Sequence, residues 1–114
     1  MSVIENAKEH FKSKLDGSLQ KIAIQEWKTD VYFKPAYSFA VESKILELQQ
    51  KGKVVEALVE SIIQKALTPD GKRMFAQGDK WSLMNEVDPA VITKIASAIN
   101  SATMEIDQRA VEKN

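Results

Sequence analysis

Between Val54 and Leu67 apolar residues fall in adjacent pairs four apart: Val54-Val55, Leu58-Val59, Ile62-Ile63 and Ala66-Leu67. Glu56, Glu60, Ser61, Gln64 and Lys65 stand between them. A pair every fourth residue paints a helical band wider than one neighbour can cover. Val54, Val55, Val59, Ile62 and Ile63 are β-branched, which lowers helix propensity, but fourteen residues without Gly or Pro exceed an ordinary strand. The pattern predicts a central helix over 54–67, buried from at least two directions, with Glu56 and Glu60 one turn apart on its solvated side.

Upstream, Val3, Ile4, Ala7, Phe11 and Leu15 mark one stripe of an amphipathic helix. Ser2 can cap it, Glu5 takes the capping-box position, and Gly17 offers a left-handed stop. That stripe suits either the core or a second chain, so residues 1–17 read as a peripheral addition. The period then changes. Ile22, Ile24 and Trp27 alternate with polar residues, and Val31-Tyr32-Phe33 precede Pro35. Two short runs around a turn at Lys28-Thr29-Asp30 predict a β-hairpin. An isolated hairpin is marginal in water, so it must lie on the helices. Aromatic area usually goes to cores, and the first expectation for Trp27, Tyr32 and Tyr37 is that they cover those helices. Their second use is as a partner surface beside the hairpin's open edges.

Ser38 can cap a helix to about Gln50, with Val41, Ile45 and Leu48 inward and Glu42, Lys44 and Glu47 outward. The corner Lys51-Gly52-Lys53 is short enough to make this helix an antiparallel neighbour of the central one. Pro69, Asp70-Gly71 and Gly78-Asp79 then mark two turns. Asp79 can cap a short helix containing Trp81, Leu83, Met84 and Val87. Asp88, with Pro89 at the first position, opens the last helix. Its residues Ile92, Ile95, Ile99, Ala102 and Ile106 form a seam of alternating threes and fours, too short for a free coiled coil. The seam is expected on the central helix. Its far end, around Met104 and Ile106, is a further candidate for partner contact, and residues 107–114 read as a tail. The expected class is therefore α+β: mainly α, with about five helices around residues 54–67 and one small hairpin, in a single domain spanning 1–114.

Composition narrows the function classes. A chain of 114 residues can bury one core without disulfides or metal, and it contains no cysteine. Sixteen basic and sixteen acidic residues cancel, without the basic stripe of a nucleic-acid binder. The N-terminal residues carry no signal-like apolar run, and no segment is long enough to span a bilayer. A soluble, intracellular protein without nucleic-acid or membrane partners is expected.

The residues offer little chemistry. His10 is the only histidine, and without cysteine or a second histidine it cannot build an ordinary zinc site or a Cys-His nucleophile. Asp70-Gly71-Lys72 lacks both the upstream glycine and the following hydroxyl residue of a phosphate loop, and the alternating acids of an EF-hand loop, so it reads as a turn. No catalytic residue, metal site or cofactor is expected, and the protein reads as non-enzymatic.

The order of elements resembles the tail assembly chaperones of bacteriophages with long, non-contractile tails. The likeness runs over about residues 20–106: a strand to Glu26-Trp27, a turn and a strand ending at Lys34-Pro35, two helices, the segment Asp70-Gly71-Lys72-Arg73-Met74-Phe75, an Asp79-led short helix and a long Ile/Ala helix. The leading helix lies outside it, and Tyr37-Ser38 stands where a Leu-Thr pair often leads into the second helix. The resemblance implies a late, non-enzymatic protein that binds the tape measure protein, keeps it soluble and promotes tail-tube assembly. It further implies self-association into a multimer, contact with the tail-tube protein through a longer frameshifted form, residence in the host cytoplasm and absence from the mature virion. Lys113-Asn114 is compatible with a slippery adenine run. Two other readings stay open: a small helix-turn-helix DNA-binding regulator, and a structural tail or head-joining component.

Overall fold

Helix α3 (Val54–Lys65) lies at the centre of the packing, touching α2 (Phe39–Gln50), α4 (Lys80–Asn85) and α5 (Pro89–Glu112). The computed structural model describes residues 2–17 and 19–112, and side chains as far as Ser101. Within it α1 (Val3–Leu15) comes first. The antiparallel pair β1 (Gln20–Ile24) and β2 (Thr29–Phe33) follows, and then the four remaining helices. The protein is thus α+β, mainly helical with one small two-stranded sheet.

The paired rows of α3 are buried where three helices meet it. Ala57, Val59, Ile62 and Ile63 are inaccessible, and Ile92, Ile95 and Ile99 of α5 join them in one core with Ile24, Val31 and Phe33 from the hairpin. The band differs from expectation at both ends. Val54 and Val55 are 58% and 63% exposed, because the first turn projects beside the exposed corner Lys51-Gly52-Lys53. At the other end the helix stops at Lys65. Ala66 turns extended, and Leu67 pairs with Tyr32 on one side and Arg73 on the other. The Tyr32 N–H donates to the Leu67 carbonyl at 3.0 Å, and the Leu67 N–H returns the bond at 2.7 Å. Leu67 therefore lends the hairpin a third, one-residue strand.

The α2–α3 corner has a local cause. Gly52 adopts φ +77, its N–H donates to the Gln49 carbonyl at 3.0 Å, and the Lys53 N–H reaches the Leu48 carbonyl at 2.9 Å. This paired closure satisfies the last carbonyls of α2 and reverses the chain. Ser38 caps the other end of α2 by accepting from the Val41 N–H at 3.4 Å. Asp88 caps α5 by accepting from the Ala90 N–H at 2.9 Å, ahead of Pro89.

Three local expectations are corrected. The hairpin turn lies at Gln25–Trp27 plus Lys28, not at Lys28-Thr29-Asp30: Lys28 takes the left-handed conformation at φ 53, which frees Thr29 and Asp30 for β2. Gly17 is not left-handed; Asp16 ends α1 in helical conformation. Asp79 begins no side-chain cap on α4, because its Oδ2 is engaged by the Ala76 N–H at 2.8 Å, and Val87 lies beyond that helix.

Candidate interaction surface

The segment after Leu67 folds back antiparallel along α3, and polar contacts fix its register. Arg73 donates to the Ile63 carbonyl from Nε at 3.2 Å and Nη2 at 3.0 Å. Gln77 donates to Glu60 Oε1 at 2.8 Å, and Lys80 approaches Glu56 Oε2 at 3.4 Å. Steps of three and four residues along the helix, Ile63 to Glu60 to Glu56, are thereby matched by a strap from Arg73 to Lys80 that closes in a short 3-10 turn at Gln77–Asp79. Glu60, expected on a solvated face, is only 6% exposed, because the strap covers it and Gln64 supplies a second donor at 2.9 Å. Gly71, at φ +83, lets the strap reverse, and Thr68 donates its hydroxyl hydrogen to Asp70 inside the same turn.

The aromatics singled out from sequence are placed separately. Trp27 sits in the hairpin turn with its ring edge-on to Phe75 at a centroid distance of 6.0 Å and an interplanar angle of 80°. That contact ties the hairpin to the strap, and both residues pack against the core. Tyr37 is half-buried. Its hydroxyl donates to the Lys65 carbonyl at 2.7 Å and accepts from the Lys34 N–H at 2.9 Å. Desolvation pushes the Tyr37 hydroxyl up to about 12; the Lys34 N–H pulls the other way, and the Glu42 carboxylate raises it further. The Lys65 ammonium lies 5.3 Å from the Tyr37 ring centroid and 2.7 Å from Glu42 Oε1. Tyr32 projects from the other face of β2, half-exposed between the buried Val31 and Phe33. Met104 and Ile106 belong to the part of α5 whose side chains lie outside the described residues.

Exposed apolar area concentrates elsewhere. Val55, Leu58, Met84, Val87 and Pro89 line a cleft of about 130 Å³ between α3, α4 and the start of α5. Trp81, 66% exposed, stands in an adjoining open cavity of about 410 Å³ that shares Met84 and is rimmed by Glu56 and Lys80. Phe39, 83% exposed, stands apart at the start of α2, and Val3 and Ile4 are open on α1. Sequence periodicity misses the cleft residues Val55, Leu58 and Met84 because they share apolar rows with the buried Val59, Ile62 and Leu83. For Phe39 a signal existed: it follows the Ser38 cap and lies off the row Val41, Ile45 and Leu48.

Among the described residues no group of three or more His, Cys, Asp or Glu side chains could hold a metal, and no helix is long and apolar enough to cross a membrane. His10 is exposed on α1. The apolar cleft, its open neighbour and the start of α1 are exposed apolar surfaces. Compared with known proteins, the chain matches no family model, no curated protein and no solved structure.

Proposed function

We propose that this protein is a tail assembly chaperone of a long-tailed bacteriophage, holding the tape measure protein in soluble form while tail-tube subunits assemble around it. The observation that carries the reading is the Trp27–Phe75 contact. The two sharpest segments of the resemblance, Glu26-Trp27 and Asp70 to Phe75, are 43 or more residues apart in sequence yet meet edge to face at 6.0 Å. The two segments therefore belong to one packed unit of the fold, which supports reading them together. Lys94 of α5 also lies 3.7 Å from Glu26, joining the same turn to the last helix.

The open apolar surfaces fit such a role. A chaperone for a long helical partner needs apolar area available at its surface, and helix-in-groove contact is the economical way to use it. Coating an extended partner requires many copies, so self-association belongs to the reading, as does contact with the tail-tube protein through a longer frameshifted form. Activity in the host cytoplasm and absence from the finished virion follow from the same role. The helix-turn-helix alternative draws no support from the packing. The middle of α3, which would have to enter the major groove, is enclosed by α2, α4, α5 and the strap.

Co-expression tests the proposal. With this chain present, the tape measure protein of the same phage should move from the insoluble to the soluble fraction and co-purify with it. A tape measure protein that stays equally insoluble with and without the chain would overturn the reading.

A further inference from the structure

The hairpin has one open edge. Tyr32 exchanges both backbone bonds with Leu67, away from β1, so the residue opposite it, Lys21, points its own N–H and carbonyl away from β2. Two positions on, Ala23 opposite Asp30 does the same. Neither Lys21 nor Ala23 makes a backbone bond outside the hairpin, and both are exposed. Among the described residues they form a row of outward donors and acceptors that another extended chain can pair in full.

This edge is complementary to itself. An antiparallel copy with its dyad on Ile22 sets Lys21 opposite Ala23 of the second copy and Ala23 opposite its Lys21, and each pair exchanges both bonds. At the dyad Ile22 meets its own copy in a close pair, about 4.5 Å between Cα atoms. Ile22 is half-buried and packs against the core, so this contact extends the apolar side of the sheet. A dyad on Lys21 would instead set like charges opposite each other. One on Ala23 would carry Lys21 to Gln25, where the chain has left the strand for the turn.

A lysine on a sheet edge ordinarily discourages pairing. Here its charge has an acceptor in the second copy. Asp30 lies one strand in from Ala23 on the same outer face, and an open cavity of about 320 Å³ is lined by both of them, with Lys28 at the turn end. From its place opposite Ala23, the incoming Lys21 has about 10 Å of sheet to cross, over a methyl group, to reach the Asp30 strand position. Within one chain Lys21 stands 3.8 Å from Asp30, with 60% and 40% of the two side chains exposed, so the pair is open to this second contact. Each copy brings one lysine and one aspartate to the junction, and the signs alternate across it.

We infer that β1 pairs antiparallel with β1 of a second copy, giving one continuous sheet in the order β2-β1-β1-β2. Both copies use the same surface, so the contact closes as a dimer. It goes beyond the chaperone reading, needs no tape measure protein and is tested without one.

Ala23→Pro makes the first test. Proline removes an N–H that faces away from β2 and sets its ring in the path of the incoming strand, an edge position where sheets tolerate it. Circular dichroism and the thermal midpoint check that the fold is kept. In sedimentation velocity up to about 1 mM, the weak limit of a specific contact, the parent chain should pass from monomer to dimer, and Ala23→Pro should remain monomeric. Asp30→Lys should weaken the dimer about tenfold, and adding Lys21→Asp should restore it, because the exchanged charges still alternate. Hydrogen exchange at the Lys21 and Ala23 amides should slow as the dimer forms. A parent that stays monomeric, an Ala23→Pro chain that associates like the parent, a charge exchange that fails to restore the dimer, or an association that leaves both amides exchanging freely would each overturn the inference. So would protection of those amides only when a different protein is added, which would assign the edge to that protein. Such a failure leaves tape measure solubilisation in co-expression standing as a separate result.

Discussion

The Lys65 ammonium, with 3% of its side chain exposed, lies 2.7 Å from Glu42 Oε1 and joins α3 to α2. Lys65 is one of the polar residues that stand between the apolar pairs of α3. It is enclosed because the chain leaves the helix at Ala66 and passes into the strand-like pairing of Leu67 with Tyr32. The ammonium pairs with the Glu42 carboxylate and lies over the face of the Tyr37 ring.

Removing only the acid leaves that cation without its carboxylate. Glu42→Ala is therefore expected to cost about 2 kcal/mol, below the full penalty of a buried pair because Glu42 itself is half-exposed. Lys65→Met removes the charge while keeping its length, and should cost less than Glu42→Ala. Urea denaturation of both variants gives the ordering, and a larger loss for Lys65→Met would contradict the account.

Tyr37 provides a pH signature. Its folded-state pKa is pushed up to about 12, chiefly by burial, against 10.0 for an unperturbed tyrosine. The folded protein thus holds this proton where the unfolded chain releases it. The stability that this contributes is complete below pH 10 and is lost as the pH rises toward 12. After discounting for the ring's partial exposure, the loss is about 1 kcal/mol. Tyr37→Phe has no such proton, so it should be less stable throughout yet lose less over the same interval. Denaturation midpoints at stepped alkaline pH make the comparison.

Trp27 and Phe75 should be energetically coupled. Trp27→Ala is expected to cost about 2–3 kcal/mol, at or below the low end for a large aromatic because the ring is only partly buried. In a double-mutant cycle with Phe75→Leu the interaction energy should fall at about 0.5–1.5 kcal/mol, the range for an edge-to-face pair. Strict additivity would show that hairpin and strap are held independently.

Glycine substitutions separate the two helix ends. Gly52→Ala places a Cβ at φ +77, where the strain is about 1–2 kcal/mol even though no atom lies within 4 Å of the added carbon. Gly17→Ala meets neither positive φ nor a clash, and should be neutral or slightly stabilising. Thermal melts of the two variants should differ in sign or clearly in size.

The parts of the fold written in local pattern were legible. Asp88-Pro89 announced the last helix, Ile92, Ile95 and Ile99 gave its buried seam, and Ser38 and Gly52 bounded α2, because caps and periodicity act over four residues or fewer. What was not legible depended on distant segments. Glu60 looks solvated until Gln77 arrives from seventeen residues away to cover it. Trp27 looks like strand until Lys28, a residue without the freedom of glycine, takes the left-handed turn. The cleft was hidden for the opposite reason: Val55 and Met84 carry the same apolar signal as buried neighbours, and only the packing shows which side chains are left open.

The reciprocal bonds between Tyr32 and Leu67 make one amide a reporter on the whole molecule. The Tyr32 hydrogen is shielded by a carbonyl thirty-five positions downstream, just past the end of α3, so its exchange with solvent requires that the hairpin and the helix part company. Slow exchange at that single site would mean that the sheet has no life apart from the helices.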